Sequence, residues 1–429
     1  MKNLPAIPKM FLGRQKFERP RVDDIPATVQ SELSRIFPQG SIKKNARIGV
    51  TVGSRGIENI AEITRAAVDF FHSCSAKPFI VPAMGSHGGA TDEGQRALIA
   101  HYGITEETMG CPIRAEMPTR CIGRTAKDME VYVAETALDS DGVLLLNRIK
   151  PHTDYKGPIE SGLTKICGIG LGKLEGATSY HSRVFDLGLG NAIRDAAEKI
   201  VENGTIVGGL AVIENAYHET AILKALPAAT LFEDEEKLLK DAFRLMGKLP
   251  FALCDVLILD RIGKNISGTG MDTNIVGRNI RGFRQGFPWV EGMPGIHRIF
   301  LRSLAKESNG NATGMGLAEF CTSRFLDSVN HEYTQLNAYT ACSPLGAKSP
   351  IPLPNDRVAI QTAIRTCGYR ADGFKLCYAK DTLALEEIYL SEAYLDENET
   401  MQNVEMVSEP AELEFDAEGF LVPPFAYDE

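Results

Sequence analysis

The sequence is short of what marks a membrane or nucleic-acid-binding protein. No segment approaches the roughly eighteen consecutive apolar residues of a membrane span. The opening stretch, MKNLPAIPKMFLGRQKF, has no sustained apolar run of the kind a signal peptide carries. A soluble, cytoplasmic protein with no membrane partner is the expectation. Basic residues are outnumbered 46 to 56, for a formal charge of −10. That argues against a general nucleic-acid or anionic-membrane surface and leaves room for a small local anion pocket. The nine cysteines include no C-x-x-C pair, so they read as reduced, mostly buried thiols. There is no H-E-x-x-H and hence no helix-borne zinc site of that kind. The run Gly168-Ile169-Gly170-Leu171-Gly172-Lys173 lacks the first glycine and the hydroxyl residue of a Walker A loop, and no G-x-G-x-x-G follows the first strand. Repeats of fixed period and low-complexity tracts are absent.

What is present is a large apolar budget: 44% of 429 residues are hydrophobic, enough for two domains rather than one. The patterning predicts an α/β fold, two α/β domains with mainly parallel sheets and the site in the cleft between them. After a helix candidate at 27–37, the β-branched run 47–53, the helical periodicity over 57–74 and the strand 78–83 form a β-α-β unit, whose crossover should be right-handed. Thr91, followed by Asp92 and Glu93, is a plausible N-cap for the next helix. The run Gly142–Leu146, GVLLL, has the look of a parallel strand buried on both faces. A helix at 191–204, a strand at 205–215 and a helix at 233–249 close a first domain of residues 1–250. The second, 251–399, contains a strand at 254–263, a loop at 263–278, the segment 314–320, helices near 323–340 and 355–367, and strands at 374–380 and 384–392. The tail, 400–429, contains LEFDAEGFLVPPF and is apolar enough to pack back on the first domain.

The chemistry concentrates in Asn147–Ser182, directly after the buried strand, where ligands sit in open α/β sheets. Pro151 pushes Lys150 toward extended geometry, so His152 should leave the strand on a loop. Gly157, Gly162, Gly168, Gly170, Gly172 and Gly176 suggest a ligand cradle, and the backbone amides at Gly168 and Gly170 are candidates to hold a phosphate. His87 follows the second strand in Gly85-Ser86-His87-Gly88, and His181 closes the glycine-rich stretch. Each histidine alone is compatible with an ordinary hydrogen-bonded side chain. Together they bring imidazoles, the usual acid–base groups near neutral pH and the usual metal ligands, to strand ends and glycine-rich loops. Arg55 and Lys165 are the cations expected near an anionic group. In the second domain, Lys264, Asp272, Asn274 and Arg278 of the 263–278 loop are candidates for polar substrate contacts.

The ordered set Arg55, Gly85-Ser86-His87 with Ala90-Thr91, Lys150-Pro151-His152, Lys165 and His181-Ser182 resembles the nickel-dependent lactate racemase family, most closely over roughly residues 45–185. The resemblance implies a nickel pincer nucleotide, pyridinium-3-thioamide-5-thiocarboxylic acid mononucleotide nickel, and dependence on the enzymes that make it. It implies that Lys165 tethers the cofactor covalently, that His181 ligates the nickel, and that His87 and His152 serve as acid and base. Soft sulfur with imidazole suits nickel, and a pyridinium can accept hydride. The implied reaction is racemisation or epimerisation at the α-carbon of a small-molecule 2-hydroxy acid, an isomerase chemistry, with Arg55 gripping the substrate carboxylate or the cofactor phosphate. The chain departs from the family before the lysine, where Pro158-Ile159-Glu160-Ser161-Gly162-Leu163-Thr164 replaces a glycine-phenylalanine-serine-glycine-glycine run, and around Arg55, which has Gly53 and Gly56 in place of an aspartate before it and a proline after it. These departures border the substrate and point to a 2-hydroxy acid other than lactate, and they leave Lys173 as a second candidate tether. Two other readings stay open from the residues: a metal-dependent lyase or hydrolase with His87, His152 and His181 as direct ligands, and a non-enzymatic cofactor-binding protein.

Overall fold

The structure is a computed structural model that describes residues 4–282 and 293–427. The chain forms two compact units, one spanning Glu18–Met246, the other made of the N-terminal segment up to Phe17 and the chain from Gly247 on. These limits differ from the expected domains at both ends of the chain. Strand β1 (Met10–Gln15) pairs with a strand near residue 390 and joins the second unit. The C-terminal tail also packs there: Met10 and Ala411 are bridged, and Leu421 donates its N–H to Asp356.

In the unit Glu18–Met246, helix α1 (Ile25–Ile36) precedes β2 (Arg47–Val52), α2 (Ile60–Ser73), β3 (Lys77–Pro82) and α3 (Asp92–His101). A two-stranded ribbon, β4 (Thr119–Arg124) and β5 (Glu130–Ala134), leads to β6 (Gly142–Arg148). Then come α4 (Lys173–His181), α5 (Leu189–Glu202), β7 (Ile206–Glu214), β8 (Thr220–Pro227) and α6 (Leu231–Leu245). The sheet order is β3-β2-β6-β7-β8, parallel except for β8, which pairs antiparallel with β7. Strand β6 reads as a continuous apolar run because both faces are covered. Leu144 and Leu146 join the core under α1 and α2, while Val143 and Leu145 join the one under α5 and α6.

The chain runs from β2 outward to β3 on one side and from β6 outward to β7 on the other, so the order reverses between β2 and β6. Such a reversal opens a crevice at the strands' carboxyl ends. Thr51 helps open it: the β2–β6 ladder ends at Val50 opposite Leu144, and the buried Thr51 Oγ1 takes the N–H of Leu146 at 2.8 Å in place of a strand partner.

The second unit holds an eight-stranded sheet in the order β12-β11-β10-β9-β13-β14-β1-β15. Its further strands are β9 (Leu253–Ile262), β10 (Gly295–Leu304), β11 (Phe320–Thr322), β12 (Ile351–Leu353), β13 (Leu376–Ala379), β14 (Glu387–Ser391) and β15 (Val404–Met406), with helices α7 (His331–Thr340) and α8 (Asp356–Arg365). Strands β9 to β13 are parallel, and β14, β1 and β15 continue antiparallel. The single helix expected near 323–340 is two: the first turn ends at Asp327, and Asn330 caps α7 by accepting the N–H of Tyr333. Among the described residues no helix is long and apolar enough to cross a membrane.

Candidate active site

The carboxyl ends of β3, β2 and β6 are neighbours in the sheet, and each carries a predicted residue. The turn after β2 holds Ser54 and Arg55. The loop after β3 holds His87, whose Nδ1 is hydrogen-bonded to Ser54 Oγ. Thr91 caps α3 as expected, accepting the N–H of Gly94. Gln95 of α3 then donates its amide to Gly85 O at 3.0 Å and His87 O at 3.3 Å, fixing the histidine loop from below. Arg55 is solvent-accessible, yet the protein around it removes part of its hydration. That loss, with repulsion from Arg148 and against the pull of Tyr102, lowers its pKa.

His152 leaves β6 on a loop closed at its base by reciprocal backbone hydrogen bonds between Lys150 and Ser161, at 2.9 and 3.2 Å. The loop is organised around the buried carboxylate of Glu160. This accepts the N–H of His152 at 2.5 Å and the ammonium of Lys156 at 3.0 Å, while Lys156 also reaches His152 O at 2.6 Å. Burial raises the Glu160 pKa, with Lys156 opposing. The imidazole stacks on Tyr155, ring centroids 4.1 Å apart. Its Nδ1 accepts the backbone N–H groups of Asp154 (3.0 Å) and Tyr155 (3.4 Å), and its Nε2 lies 2.8 Å from Lys165 Nζ. Burial first, then the positive charges of Lys165, Lys156 and Lys150 and the neighbouring His181, hold the His152 pKa well below the ordinary value. His181, half-buried at the end of α4, therefore bears on the same site.

The glycine-rich stretch is helical, which corrects the expected open cradle. A short turn at Leu163–Lys165 runs into a π-helical turn at Ile166–Gly170 and then α4. Gly168 and Gly170 are buried packing positions: a Cβ on Gly170 would lie 2.6 Å from Ala83 O, and one on Gly168 3.1 Å from Ile193 O. The glycines let this turn press against the end of β3 and against α5. Glu235 of α6 supports it, accepting the N–H of Thr164 at 2.9 Å and its hydroxyl at 2.5 Å. Gly162 lacks a Cβ at the place where one would lie 1.9 Å from the Glu235 carboxylate.

The two candidate lysines have different surroundings. Lys173 is fully buried, and its Nζ donates to Pro82 O and Gln95 Oε1, both at 2.8 Å, and to Ala115 O at 3.5 Å. It is a strut between α4, β3 and α3. Lys165 instead meets an imidazole, and its pKa is lowered to about 8 by burial, Arg55 and Lys150, with Asp154 opposing.

The loop 263–278 follows the carboxyl end of β9, at the second unit's own reversal of strand order, between β9 and β13. Asp272 and Asn274 are buried and joined, Asp272 Oδ1 accepting both the backbone N–H and the side-chain amide of Asn274 at 2.8 Å. Lys264 donates to Gly268 O at 2.7 Å. Arg278, expected to contact substrate, pairs with Glu319 at 2.6 Å and donates to Leu317 O, Ile296 O and His297 O, so it clamps the strand ends. The sequence reading missed Ser54, Tyr155, Glu160 and Glu235; the only signal was the departure at Pro158–Thr164.

Elsewhere Asp255, His297 and Cys367 bring potential ligand atoms within 4.8 Å of one another. Arg370 already sits on Asp255 and His297 Nδ1, and burial and Asp255 push the Cys367 thiol up to about 11. A resident guanidinium and a protonated thiol make a poor cation site.

The fold and the site define an α/β protein with imidazole, amine and guanidinium groups at the carboxyl ends of adjacent parallel strands. No family model and no curated protein matches the chain. Among solved structures it is similar to the lactate racemase apoprotein from Thermoanaerobacterium thermosaccharolyticum, with a TM-score of 0.51 over 87% of this chain and 94% of that one at 12% identity. The chain has a lactate racemase-like fold.

Proposed function

We propose that the protein is a racemase or epimerase that inverts the α-carbon of a 2-hydroxy acid with a nickel pincer nucleotide attached at Lys165. The observation that carries this is the Lys165–His152 pair after β6, with Arg55 and Ser54 at the end of the neighbouring strand β2 and His87 at the end of the next, β3. The donor set suits the group: an amine of lowered pKa for a covalent tether, an imidazole at His181 for nickel, and cations for a phosphate or carboxylate. When bound, the cofactor supplies a hydride acceptor. The chain's own residues do the rest. Arg55 orients the substrate carboxylate, and His87 and His152 take and return the hydroxyl proton. A nitrogen acylated at Lys165 is no longer basic, which frees His152 Nε2 for substrate. The direct-ligand alternative is disfavoured at His152, whose Nδ1 accepts two backbone N–H groups while Nε2 faces Lys165.

The test is intact mass, nickel content and peptide mapping of protein made in a host that synthesises the cofactor. A nucleotide-sized adduct on Lys165 with about one nickel per chain, and racemisation of a 2-hydroxy acid, are expected. Racemisation by adduct-free protein, or an adduct on another residue, would overturn the reading.

A further inference from the structure

The turn that carries His87 is strained, and one buried amide holds it. Gly88, Gly89 and Ala90 follow the histidine with φ of +66°, +65° and +53°. Three successive left-handed residues are unusual, and the Cβ of Ala90 resists that conformation. The turn is pressed onto the start of α3, where a Cβ on Gly94 would lie 1.8 Å from Gly88 O. From α3 the fully buried Gln95 reaches back, its Nε2 donating to Gly85 O at 3.0 Å and His87 O at 3.3 Å.

An amide side chain is nearly symmetric in shape, so its surroundings must set which end faces which way. Lys173 sets it. Its Nζ can only donate, and it faces Gln95 Oε1 and Pro82 O, both at 2.8 Å, and Ala115 O at 3.5 Å. Burial pulls the Lys173 pKa down to about 8, with Asp92 and Glu116 opposing, so the ammonium is the form present at neutral pH. With that ammonium on Oε1, both amide hydrogens are left for the two carbonyls of the histidine turn, and donors and acceptors match throughout. Lys173 has a φ of +51° and is completely buried. A glycine would adopt that conformation without strain, and what it would lack is the charge.

We propose that Gln95 is a positioning residue for His87, its amide oriented by the Lys173 ammonium so that it holds the left-handed turn and, with it, the ring's hydrogen bond to Ser54. The other partner of that bond is held separately, since the Tyr102 hydroxyl donates to Ser54 O at 3.0 Å. Gln95 acts through the main chain of the turn. The proposal rests on the racemase reading for the proton that His87 moves, and not for the hold on the turn.

The test is Gln95→Glu in the full chain, which keeps the shape and the contact with Lys173 but sets an acceptor oxygen against the carbonyls of the turn. In the apoprotein, hydrogen exchange followed by mass spectrometry should show residues 85–90 exchanging at least about tenfold faster, with α4 unchanged. In protein loaded with the cofactor, the two enantiomers of the 2-hydroxy acid separate positioning from general damage. The enantiomer that His152→Ala still consumes, which uses His87 as base, should be consumed at least about tenfold more slowly in a single turnover. The opposite enantiomer should keep its rate to within about twofold, with nickel content unchanged. Equal slowing of both, or an unchanged turn in the apoprotein, would overturn the proposal. Wild-type protein provides a check that needs no variant to fold. With nitrogen-15 in the glutamine side chains, the Gln95 amide hydrogens should exchange far more slowly than those of the exposed Gln30, and equal rates would also overturn it. A turn loosened by Gln95→Glu, in a protein whose loaded wild type does not racemise, would leave the hold on the turn standing and remove the racemase reading.

Discussion

Glu235 accepts two hydrogen bonds from Thr164, the residue that immediately precedes Lys165, and it does so from a position only 1% exposed. Its other oxygen has no partner among the described residues. The turn carrying Lys165 is thus held by a buried carboxylate from a helix some seventy residues later in the chain.

That burial raises the Glu235 pKa to about 7, with the Thr164 hydrogen bonds opposing. The folded chain then holds this proton more tightly than the unfolded chain. The group's contribution favours folding at low pH and is withdrawn as pH climbs from about 4.3 through about 7. Glu235→Gln cannot ionise, so its stability relative to wild type should rise between pH ~5 and ~8 by on the order of 3 kcal/mol. Urea denaturation at the two pH values measures this. A constant difference would mean that Glu235 titrates normally.

The two lysines should separate structure from chemistry. Lys173→Met strands the buried acceptors Pro82 O and Gln95 Oε1 and should cost roughly 2–4 kcal/mol of stability. Lys165→Met removes an amine from a crowd of cations and should change stability by less than about 1 kcal/mol while abolishing the nucleotide adduct. Denaturation midpoints and intact mass check both, and a large loss of stability in Lys165→Met would assign that residue a structural role.

This contrast also marks what the sequence makes legible. Strand β6 and helices α2, α5 and α6 were readable because burial imposes a local pattern, continuous for a strand covered on both faces and helical for the others. Strand β1 was not, since its partner lies some 370 residues away and MFLGRQ has no distinctive period. The glycines between Gly162 and Gly176 suggested a loop, because sequence does not distinguish a glycine chosen for conformation from one chosen for contact. Lys165 and Lys173 are chemically identical until tertiary acceptors are known, and the burial of Glu160 and Glu235 leaves no local trace.

Arg55 is the planar donor suited to a carboxylate at the crevice mouth. Arg55→Lys keeps the charge and loses the fork, and should lower kcat/KM by about 1–3 kcal/mol of transition-state stabilisation. Nickel content measured alongside locates the effect. Full nickel with impaired turnover assigns Arg55 to substrate, and lost nickel assigns it to cofactor retention.

The two histidines are not equivalent, and the last prediction follows from that difference. His87 bonds Ser54 through Nδ1, and a hydroxyl can serve as donor or acceptor, so the imidazole can exchange tautomers where it stands. His152 has Nδ1 facing two backbone N–H groups, so acting as a base at Nε2 requires the Asp154–Tyr155 turn to release it. Net inversion needs one base and one acid in each direction, so His87→Ala and His152→Ala should both abolish it. The half-reactions should differ. Holo His152→Ala keeps the ready base and should still consume one enantiomer of a 2-hydroxy acid without releasing its mirror image. Holo His87→Ala should act only on the opposite enantiomer, and at least about tenfold more slowly, the cost of freeing Nδ1 from hydrogen bonds worth about 1 kcal/mol each. Mixing each variant with each enantiomer, and following cofactor absorbance and product configuration, measures all four combinations. Equal half-reaction rates in the two variants would show that the backbone contacts do not restrain His152, and racemisation at the parent rate by either would remove that histidine from catalysis.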